Sequence, residues 1–85
     1  MKVKFESTFE KDLKSIKDAK LLHKLKSIII DCKNAGNHSN IKNLKKLKGY
    51  DAFYRIRLGN YRVGIELQED TLIFTRFLHR KDIYK

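Results

Sequence analysis

The stretch that decides the fold spans residues 54 to 63 and reads Tyr54-Arg55-Ile56-Arg57-Leu58-Gly59-Asn60-Tyr61-Arg62-Val63. Basic and apolar residues alternate on either side of Gly59-Asn60, a pair that favours a tight turn. Side chains two positions apart in a strand lie on the same face, so Arg55 and Arg57 are predicted to point the same way. Ile56 and Leu58 then point into a core. The segment predicts an antiparallel β-hairpin with a cationic outer face.

The hairpin belongs to a longer predicted meander of three strands. These strands cover residues 53–58, 60–67 and 71–78, and Gln68-Glu69-Asp70 forms the second turn. The predicted core face of the middle strand carries Tyr61, Val63, Ile65 and Leu67, and its open face carries Arg62, Gly64 and Glu66. Helices need an apolar surface to cover, so they are expected on the first of these faces. Arg62 is therefore predicted to join Arg55 and Arg57.

The first half of the chain predicts a short strand followed by two helices. Val3 and Phe5 alternate with polar residues and indicate a strand of about four residues. Ser7-Thr8-Phe9-Glu10 has capping-box spacing, with Ser7 as the N-cap of a first helix. Asp18 can cap a second helix, and Gly36 is predicted to end it. The apolar stripe of this second helix has a 3.6-residue period and consists of Leu21, Leu22, Leu25, Ile28, Ile29 and Cys32.

These elements predict an α+β fold in the order β-α-α-β-β-β. An N-terminal αα-hairpin packs on one side of a small, mainly antiparallel, twisted sheet. The 85 residues, of which 41% are hydrophobic, are expected to form a single domain over residues 1–85 with one small core and no need of disulfides. Residues 37–49 are predicted to be a loop in which Ile41, Leu44 and Leu47 anchor one short helical turn.

The charge of the chain indicates an anionic partner. Twenty Lys and Arg against ten Asp and Glu give a net charge of +10, which favours RNA, DNA, an acidic protein segment or a membrane surface as partner. A single cysteine excludes an internal disulfide, and the three histidines form no cluster at zinc-ligand spacing, so no metal is expected. No apolar run approaches the roughly 18 residues that span a bilayer, and no export signal is visible. The expected location is the cytoplasm.

Three segments of the chain together resemble the RelE/ParE superfamily of bacterial toxins, and in particular the RelE-type messenger-RNA endonucleases. They are Tyr54-Arg55-Ile56-Arg57-Leu58, Tyr61-Arg62-Val63 and His79-Arg80-Lys81-Asp82-Ile83-Tyr84. The resemblance implies a RelE-like fold and the toxin of a type II toxin-antitoxin system. Such a toxin enters the ribosomal decoding site and cuts the messenger there, without a metal or other cofactor, and so inhibits translation.

The resemblance also implies the residues of the reaction. The 2′-hydroxyl beside the scissile phosphate attacks phosphorus and leaves a 2′,3′-cyclic phosphate. The catalytic residues it implies are Arg55, Arg57, Arg62, His79, Arg80 and Tyr84. The arginines match the phosphate charge, and His79 and Tyr84 are the implied proton-transfer pair, with acid and base unassigned. Arg55 stands where some members carry lysine, and an arginine, with a pKa above about 12, is a poor general base.

Further basic residues are candidates for binding RNA or the ribosome. Lys42, Lys45, Lys46 and Lys48 crowd the loop before the meander. They form either an ordinary solvent-exposed loop or an arm on ribosomal RNA phosphates, where each neutralised phosphate releases counterions.

Arg76 has two alternative positions on the last strand. It lies on the open face, as a further RNA contact, if the core residues of that strand are Ile73 and Phe77. It lies on the opposite face, away from RNA, if the core residues are Leu72, Phe74 and Leu78.

Two other functions stay open. One is a ParE-like inhibitor of DNA gyrase without nuclease activity, and the other is a degenerate member that binds only its antitoxin or RNA. The full set of basic and proton-transfer residues favours the nuclease. The resemblance further implies a cognate acidic antitoxin, and Ile30, opposite the apolar stripe of the second helix, could belong to a surface that it covers.

Overall fold

The computed structural model describes residues 1–49 and 51–83. Its elements in chain order are β1 (Lys2–Phe5), α1 (Ser7–Lys14), α2 (Ala19–Asn34), a 3₁₀ helix (His38–Asn40), β2 (Lys45–Lys46), β3 (Phe53–Leu58), β4 (Tyr61–Gln68), β5 (Thr71–His79) and α3 (Arg80–Ile83). The strands form one sheet in the order β1-β5-β4-β3-β2. The sheet is mixed, because β1 pairs parallel with β5 while all other pairs are antiparallel. The predicted α+β class, helical hairpin and meander are confirmed.

The core lies between the helices and one face of the sheet. Its buried residues are Phe9, Leu25, Cys32, Ile41, Ile56, Val63, Ile65, Leu72, Phe74 and Phe77. The ring of Phe9, from α1, lies 5.5 Å from that of Phe74 and 6.5 Å from that of Phe77, measured between centroids. No helix in the described ranges is long and apolar enough to cross a bilayer.

The two long helices begin in different ways. The Asp18 carboxylate accepts hydrogen bonds from the backbone N–H groups of Lys20, at 3.0 Å, and Leu21, at 3.2 Å, so the predicted N-cap of α2 is confirmed. The predicted capping box of α1 is wrong. Ser7 is the first helical residue, and Glu6 occupies the N-cap without a side-chain cap bond.

The C-terminus of α2 is capped by a distant part of the chain. The helix ends at Asn34, and the ammonium group of Met1 donates to the carbonyl oxygens of Cys32, Lys33 and Ala35 at 3.3, 2.9 and 2.6 Å. A positive charge is favourable at this end of a helix, where the last carbonyls lack the usual helical partners. The Cys32 carbonyl also accepts the Ala35 N–H at 3.3 Å. The predicted stop is confirmed in position, since Ala35 is the C-cap and Gly36 follows it, but Gly36 does not adopt a left-handed conformation there.

The segment of residues 37–49, predicted to be a loop with one short helical turn, contains a short edge strand as well as a helical turn. The helical turn is the 3₁₀ helix, which Asn37 caps by accepting the Ser39 N–H at 2.9 Å. Lys45 and Lys46 then pair with Arg55 and Tyr54 to form β2. Two residues are too few to show an alternating pattern, so only the pairing partner reveals this strand.

The last strand contains a β-bulge that changes its alternation. Leu72, Phe74 and Phe77 are all buried, a spacing that a regular strand cannot place on one face. The pairing with β4 shifts between Gly64 and Ile65, which inserts Thr75 as an extra residue. Neither alternative for Arg76 described the strand correctly, although Arg76 does lie on the open face.

Side chains of α1 satisfy the part of β5 that β1 leaves unpaired. β1 pairs only with residues 71 to 74. Beyond them, the Thr8 hydroxyl donates to the Thr75 carbonyl at 2.7 Å, and the Asp12 carboxylate accepts the Phe77 N–H at 2.9 Å. Buried or half-buried backbone groups need such partners, so α1 holds the bulged segment in place.

Candidate nucleic-acid interface

The strand register brings four arginines onto the open face of the sheet. Arg57 lies directly opposite Arg62, and Arg55 lies opposite Gly64, whose other neighbour is Arg76. Residues directly opposite in a ladder project from the same face. The prediction that Arg55, Arg57 and Arg62 share a face is therefore confirmed.

These arginines surround a cavity of about 360 Å³, which we name the arginine cleft. It is lined by Leu47, Tyr54, Arg55, Arg57, Arg62, Val63, Gly64, Arg76, Leu78 and Ile83. None of these described lining residues carries a carboxylate. An apolar floor beneath a rim of guanidinium groups suits a nucleotide, whose base is flat and apolar on its faces and whose phosphate is anionic.

Arg62 is oriented by the turn of the hairpin. Its Nη1 donates to the carbonyl oxygen of Gly59 at 3.0 Å and to that of Tyr61 at 2.9 Å. Gly59 has φ +59°, a left-handed conformation in which glycine has no steric penalty. The two bonds fix one nitrogen of the guanidinium and leave Nε and Nη2 to bind a ligand in the cleft.

Arg76 is held in a bidentate ion pair with Asp12. Its Nε lies 2.8 Å from Asp12 Oδ2, and its Nη2 lies 3.1 Å from Asp12 Oδ1. The hydrogen bonds to this carboxylate raise the pKa of Arg76 above its ordinary value. Asp12 offsets the charge of Arg76, so the net positive charge of the cleft is concentrated at Arg55, Arg57 and Arg62.

His79 lies on the other face of the sheet. It pairs with Tyr61 on the side that the helices cover, its ring meets that of Tyr61 edge to face at 5.2 Å, and its Nδ1 accepts the Lys81 N–H at 3.2 Å. It lines a separate cavity with Lys20 and Lys24 of α2. The structure therefore does not bring His79 to the arginines, contrary to the expected arrangement. Since Arg76 and Leu78 are on the open face, strand alternation puts His79 on the opposite one.

The end of the chain contributes one described residue to the cleft. α3 begins at Arg80, whose N–H donates to the Asn60 carbonyl at 2.7 Å and so attaches α3 to the hairpin turn. The Arg80 side chain is exposed and is not part of the cleft lining. Ile83 lines the cleft, and Tyr84, the predicted proton-transfer residue, lies outside the described residues.

The four loop lysines do not form one arm. Lys45 is on the same face as Arg55, its pairing partner, whereas Lys46 is opposite Tyr54 on the other face. Lys46 and Lys48 line a cavity that also includes Leu47, Gly49 and Asp51, and Lys42 lines another near the end of α2. Strand pairing thus separates Lys45 from Lys46, and the three other lysines line cavities that Lys45 does not.

Sequence reasoning missed several residues of this interface. Asp12 is 64 residues from Arg76 along the chain, so no local pattern connects them. Leu78 and Ile83 line the cleft only because of the bulge in β5 and the direction of α3. Leu47 was predicted only to anchor a short helical turn, which gave no indication that it lines the cleft.

The fold is that of small toxins of the RelE/ParE superfamily. The chain belongs to the ParE toxin family: residues 3–84 match the family model described as ParE toxin of type II toxin-antitoxin system, parDE. It is therefore a toxin of the type II toxin-antitoxin class.

Known relatives agree with this assignment. The chain is 51% identical over 85 residues to toxin RelE3 of Methanocaldococcus jannaschii, covering 99% of this chain and 96% of that protein. The toxin fold in the crystal structure of the RelB-RelE antitoxin-toxin complex from Methanococcus jannaschii matches with a TM-score of 0.84 and 50% identity, over 95% of this chain and 94% of that one. The Escherichia coli DinJ-YafQ complex matches with a TM-score of 0.66 at 16% identity, over 98% and 97% of the two chains, and shows the shared fold alone.

Proposed function

We propose that this toxin is a metal-independent endoribonuclease that cleaves messenger RNA on the ribosome and thereby inhibits translation. The observation that carries the proposal is the arginine cleft, with four guanidinium groups on a rigid sheet and no carboxylate among its described lining residues. The similarity to proteins named RelE supports the same function, because toxins of that type cut messenger RNA.

The proposed reaction needs charge stabilisation above all. The 2′-oxygen forms a bond to phosphorus, the bond to the 5′-oxygen breaks, one proton leaves the 2′-hydroxyl and one is added to the departing oxygen. Before the 5′-oxygen departs, negative charge develops on the oxygens of the pentavalent phosphorane. Arg57 and Arg62, opposite one another, are proposed to bind these oxygens, and Arg55 the same phosphate group.

Proton transfer is assigned to Tyr84 from the resemblance alone. Arginine side chains, with pKa values above about 12, do not exchange protons near neutral pH. His79 lies on the opposite face of the sheet, so we give it no part in proton transfer. The cleft itself is therefore proposed to act by positioning the phosphate and stabilising its charge.

The remaining basic residues are proposed to bind the ribosome. Lys42, Lys46, Lys48 and Arg80 are all exposed and lie outside the arginine cleft. They suit phosphates of ribosomal RNA, where binding depends on salt and not on sequence. The corresponding location is the cytoplasm, where translation takes place.

A cognate antitoxin is the proposed regulatory partner. The solved relative at 50% identity is an antitoxin-toxin complex. On this chain, an acidic segment would neutralise the cleft, and exposed apolar side chains such as Ile30, at 45% exposure, and Phe5, at 42%, offer contact area. Co-expression with an acidic protein encoded beside the gene, followed by co-purification, tests this partner.

The nuclease is tested on purified ribosomes carrying a defined messenger, with primer extension to locate cuts. Wild-type toxin should give cuts at defined codon positions, and both Arg62→Ala and Tyr84→Phe should reduce them strongly. Lys26→Ala, which removes an exposed charge from α2, is the matched control and should cut normally. Folded wild-type protein that leaves the messenger intact would contradict the proposal.

A gyrase inhibitor is the second candidate. It is favoured by the family model itself, whose description names the ParE toxin of parDE. A supercoiling assay with purified gyrase distinguishes the two, because a gyrase inhibitor blocks supercoiling and leaves ribosome-bound messenger uncut. A degenerate member would do neither and would bind only its antitoxin or RNA.

A further inference from the structure

A second cavity lies beside the arginine cleft on the same face of the sheet. It has a volume of about 360 Å³ and is lined by Asn43, Lys45, Arg55 and Arg57. We name it the basic cavity. Arg55 and Arg57 line both cavities, so they stand between the two.

The two cavities differ in chemistry. The arginine cleft has the apolar side chains of Leu47, Leu78 and Ile83 among its lining, whereas every side chain that lines the basic cavity is polar and three of the four are cationic. An apolar surface suits the face of a nucleobase, and clustered cations with an amide suit a phosphate. A base and a neighbouring phosphate along one RNA strand present these two chemistries side by side.

Strand pairing makes Lys45 part of this face. Asn43, at φ +67°, adopts the left-handed conformation that asparagine tolerates, and the chain then enters β2. Lys45 pairs with Arg55, so the two side chains project from the same face of the sheet, and Lys46 projects from the other. Adjacent lysines therefore have different surroundings.

We infer that a single RNA strand crosses β3 with an unpaired nucleobase in the arginine cleft and a neighbouring phosphate in the basic cavity, where Lys45 binds it. Arg55 and Arg57, which line both cavities, bind the scissile phosphate between the two positions, together with Arg62. The strand must be single, because the faces of a base are accessible only when it is unstacked. The inference rests on the proposed nuclease function. It adds the path of the RNA strand across β3 and one specific phosphate-binding lysine.

Binding of a labelled single-stranded RNA, with every 2′-hydroxyl methylated so that it cannot be cut, tests the inference by fluorescence anisotropy. Lys45→Ala should weaken binding about tenfold, the loss of one charged hydrogen bond. It should also reduce the slope of log affinity against log salt by about 0.7, the value for one phosphate contact on a single strand. Lys46→Ala should have a clearly smaller effect, and Lys26→Ala none.

The base position has its own variant. Ile83 is 41% exposed, so Ile83→Asn should leave folding intact, which the melting temperature checks. It should weaken binding by the same factor at low and high salt, because it removes apolar contact and no charge. A duplex of the same sequence should bind more weakly than the single strand.

Several outcomes overturn the inference. They are equal effects of Lys45→Ala and Lys46→Ala, equal affinity for duplex and single strand, or no measurable binding by wild type at low salt. Failure of the proposed function is distinguishable, because it appears as an uncut messenger on programmed ribosomes while the binding pattern of the variants persists. If wild type cuts the messenger and Lys45→Ala binds and cuts as wild type does, the inference alone is wrong.

Discussion

Arg57 and Arg62 lie directly opposite one another in the β3–β4 ladder, although both are cationic. Like charges in opposite positions of a sheet repel and lower stability. Arg62 is additionally held by the backbone carbonyls of Gly59 and Tyr61, at 3.0 and 2.9 Å, and both arginines line the same cleft. The pair is therefore an arrangement that favours binding an anion at the expense of the stability of the empty protein.

Replacing Arg57 should stabilise the fold. Arg57→Gln removes the repulsion and should raise the free energy of unfolding by about 0.5 kcal/mol at low salt. The gain should shrink as salt is added, because these exposed charges are screened. Urea unfolding at two ionic strengths measures it. Lys26→Gln controls for the lowered net charge, and equal gains from both variants would show that the opposed pair has no specific cost.

Arg62→Ala should slow the chemical step more than it weakens ribosome binding. A guanidinium that faces developing charge contributes mainly in the transition state, so the single-turnover rate should fall by about 10²–10³. A variant with Lys42, Lys46 and Lys48 all changed to Ala should instead bind ribosomes more weakly with a flatter salt dependence. Single-turnover cleavage at saturating ribosomes separates the two, and equal slowing by both variants would contradict this division of roles.

Asp12 should matter more for stability than its partner Arg76. The Asp12 carboxylate accepts from Arg76 and from the Phe77 N–H. Asp12→Ala leaves that half-buried N–H without a partner and should cost about 1–3 kcal/mol. Arg76→Ala breaks an ion pair whose arginine is half exposed and leaves the Phe77 N–H with its acceptor, so it should cost about 0–1 kcal/mol. Denaturant unfolding of both variants gives the comparison, and equal losses would mean that the bond to Phe77 contributes nothing.

The buried thiol of Cys32 should make stability fall at alkaline pH. Burial, and secondarily the neighbouring Asp31, raises its pKa to about 11. In the unfolded chain the thiol ionises near about 8.5, so the unfolded state loses this proton first as the pH rises. The stabilisation is thus complete below about pH 8.5 and is lost towards pH 11, by up to about 3 kcal/mol. The difference in unfolding free energy between wild type and Cys32→Ala should narrow over this range, and a constant difference would refute the coupling.

A side chain at position 64 should lower the stability of the fold, because the bulge in β5 brings Thr75 close to Gly64. A Cβ at this position would lie 2.9 Å from the Thr75 Oγ1 and 3.6 Å from the Arg76 Cβ. Gly64→Ala should therefore cost about 1–2 kcal/mol by overpacking, and less in a Thr75→Ala background, where the hydroxyl is gone. A double-mutant cycle measures this coupling. Additive effects would show that the contact with Thr75 is not the cause.

The periodic parts of the fold and the arginine face were predictable from sequence. Alternation in residues 54–63 depends only on neighbouring residues, and it placed Arg55, Arg57 and Arg62 on one face as the register shows. The cap at Asp18 is equally local, since its carboxylate bonds N–H groups two and three residues away. Patterns of this kind are visible because the interacting groups are adjacent in the chain.

Elements set by distant contacts were not predictable. The two-residue strand β2 exists only through pairing with β3, and the bulge at Thr75 follows from packing Leu72, Phe74 and Phe77 in one core. The N-cap predicted at Ser7 was wrong because only one residue, Glu6, separates the end of β1 from the start of α1. Glu6 therefore takes the N-cap position and Ser7 is already helical.

By itself, the sequence determined the α+β class of the fold, its helix–helix–meander order and the cationic face of its sheet, because periodicity and charge are local properties. Only the tertiary structure decided which side chains share the cleft. In the structure, His79 lies on the opposite face of the sheet, Arg76 forms an ion pair with Asp12, and Lys45 and Lys46 project from opposite faces. Those positions depend on strand register and on contacts between residues far apart in the chain, which the order of residues in one segment does not specify.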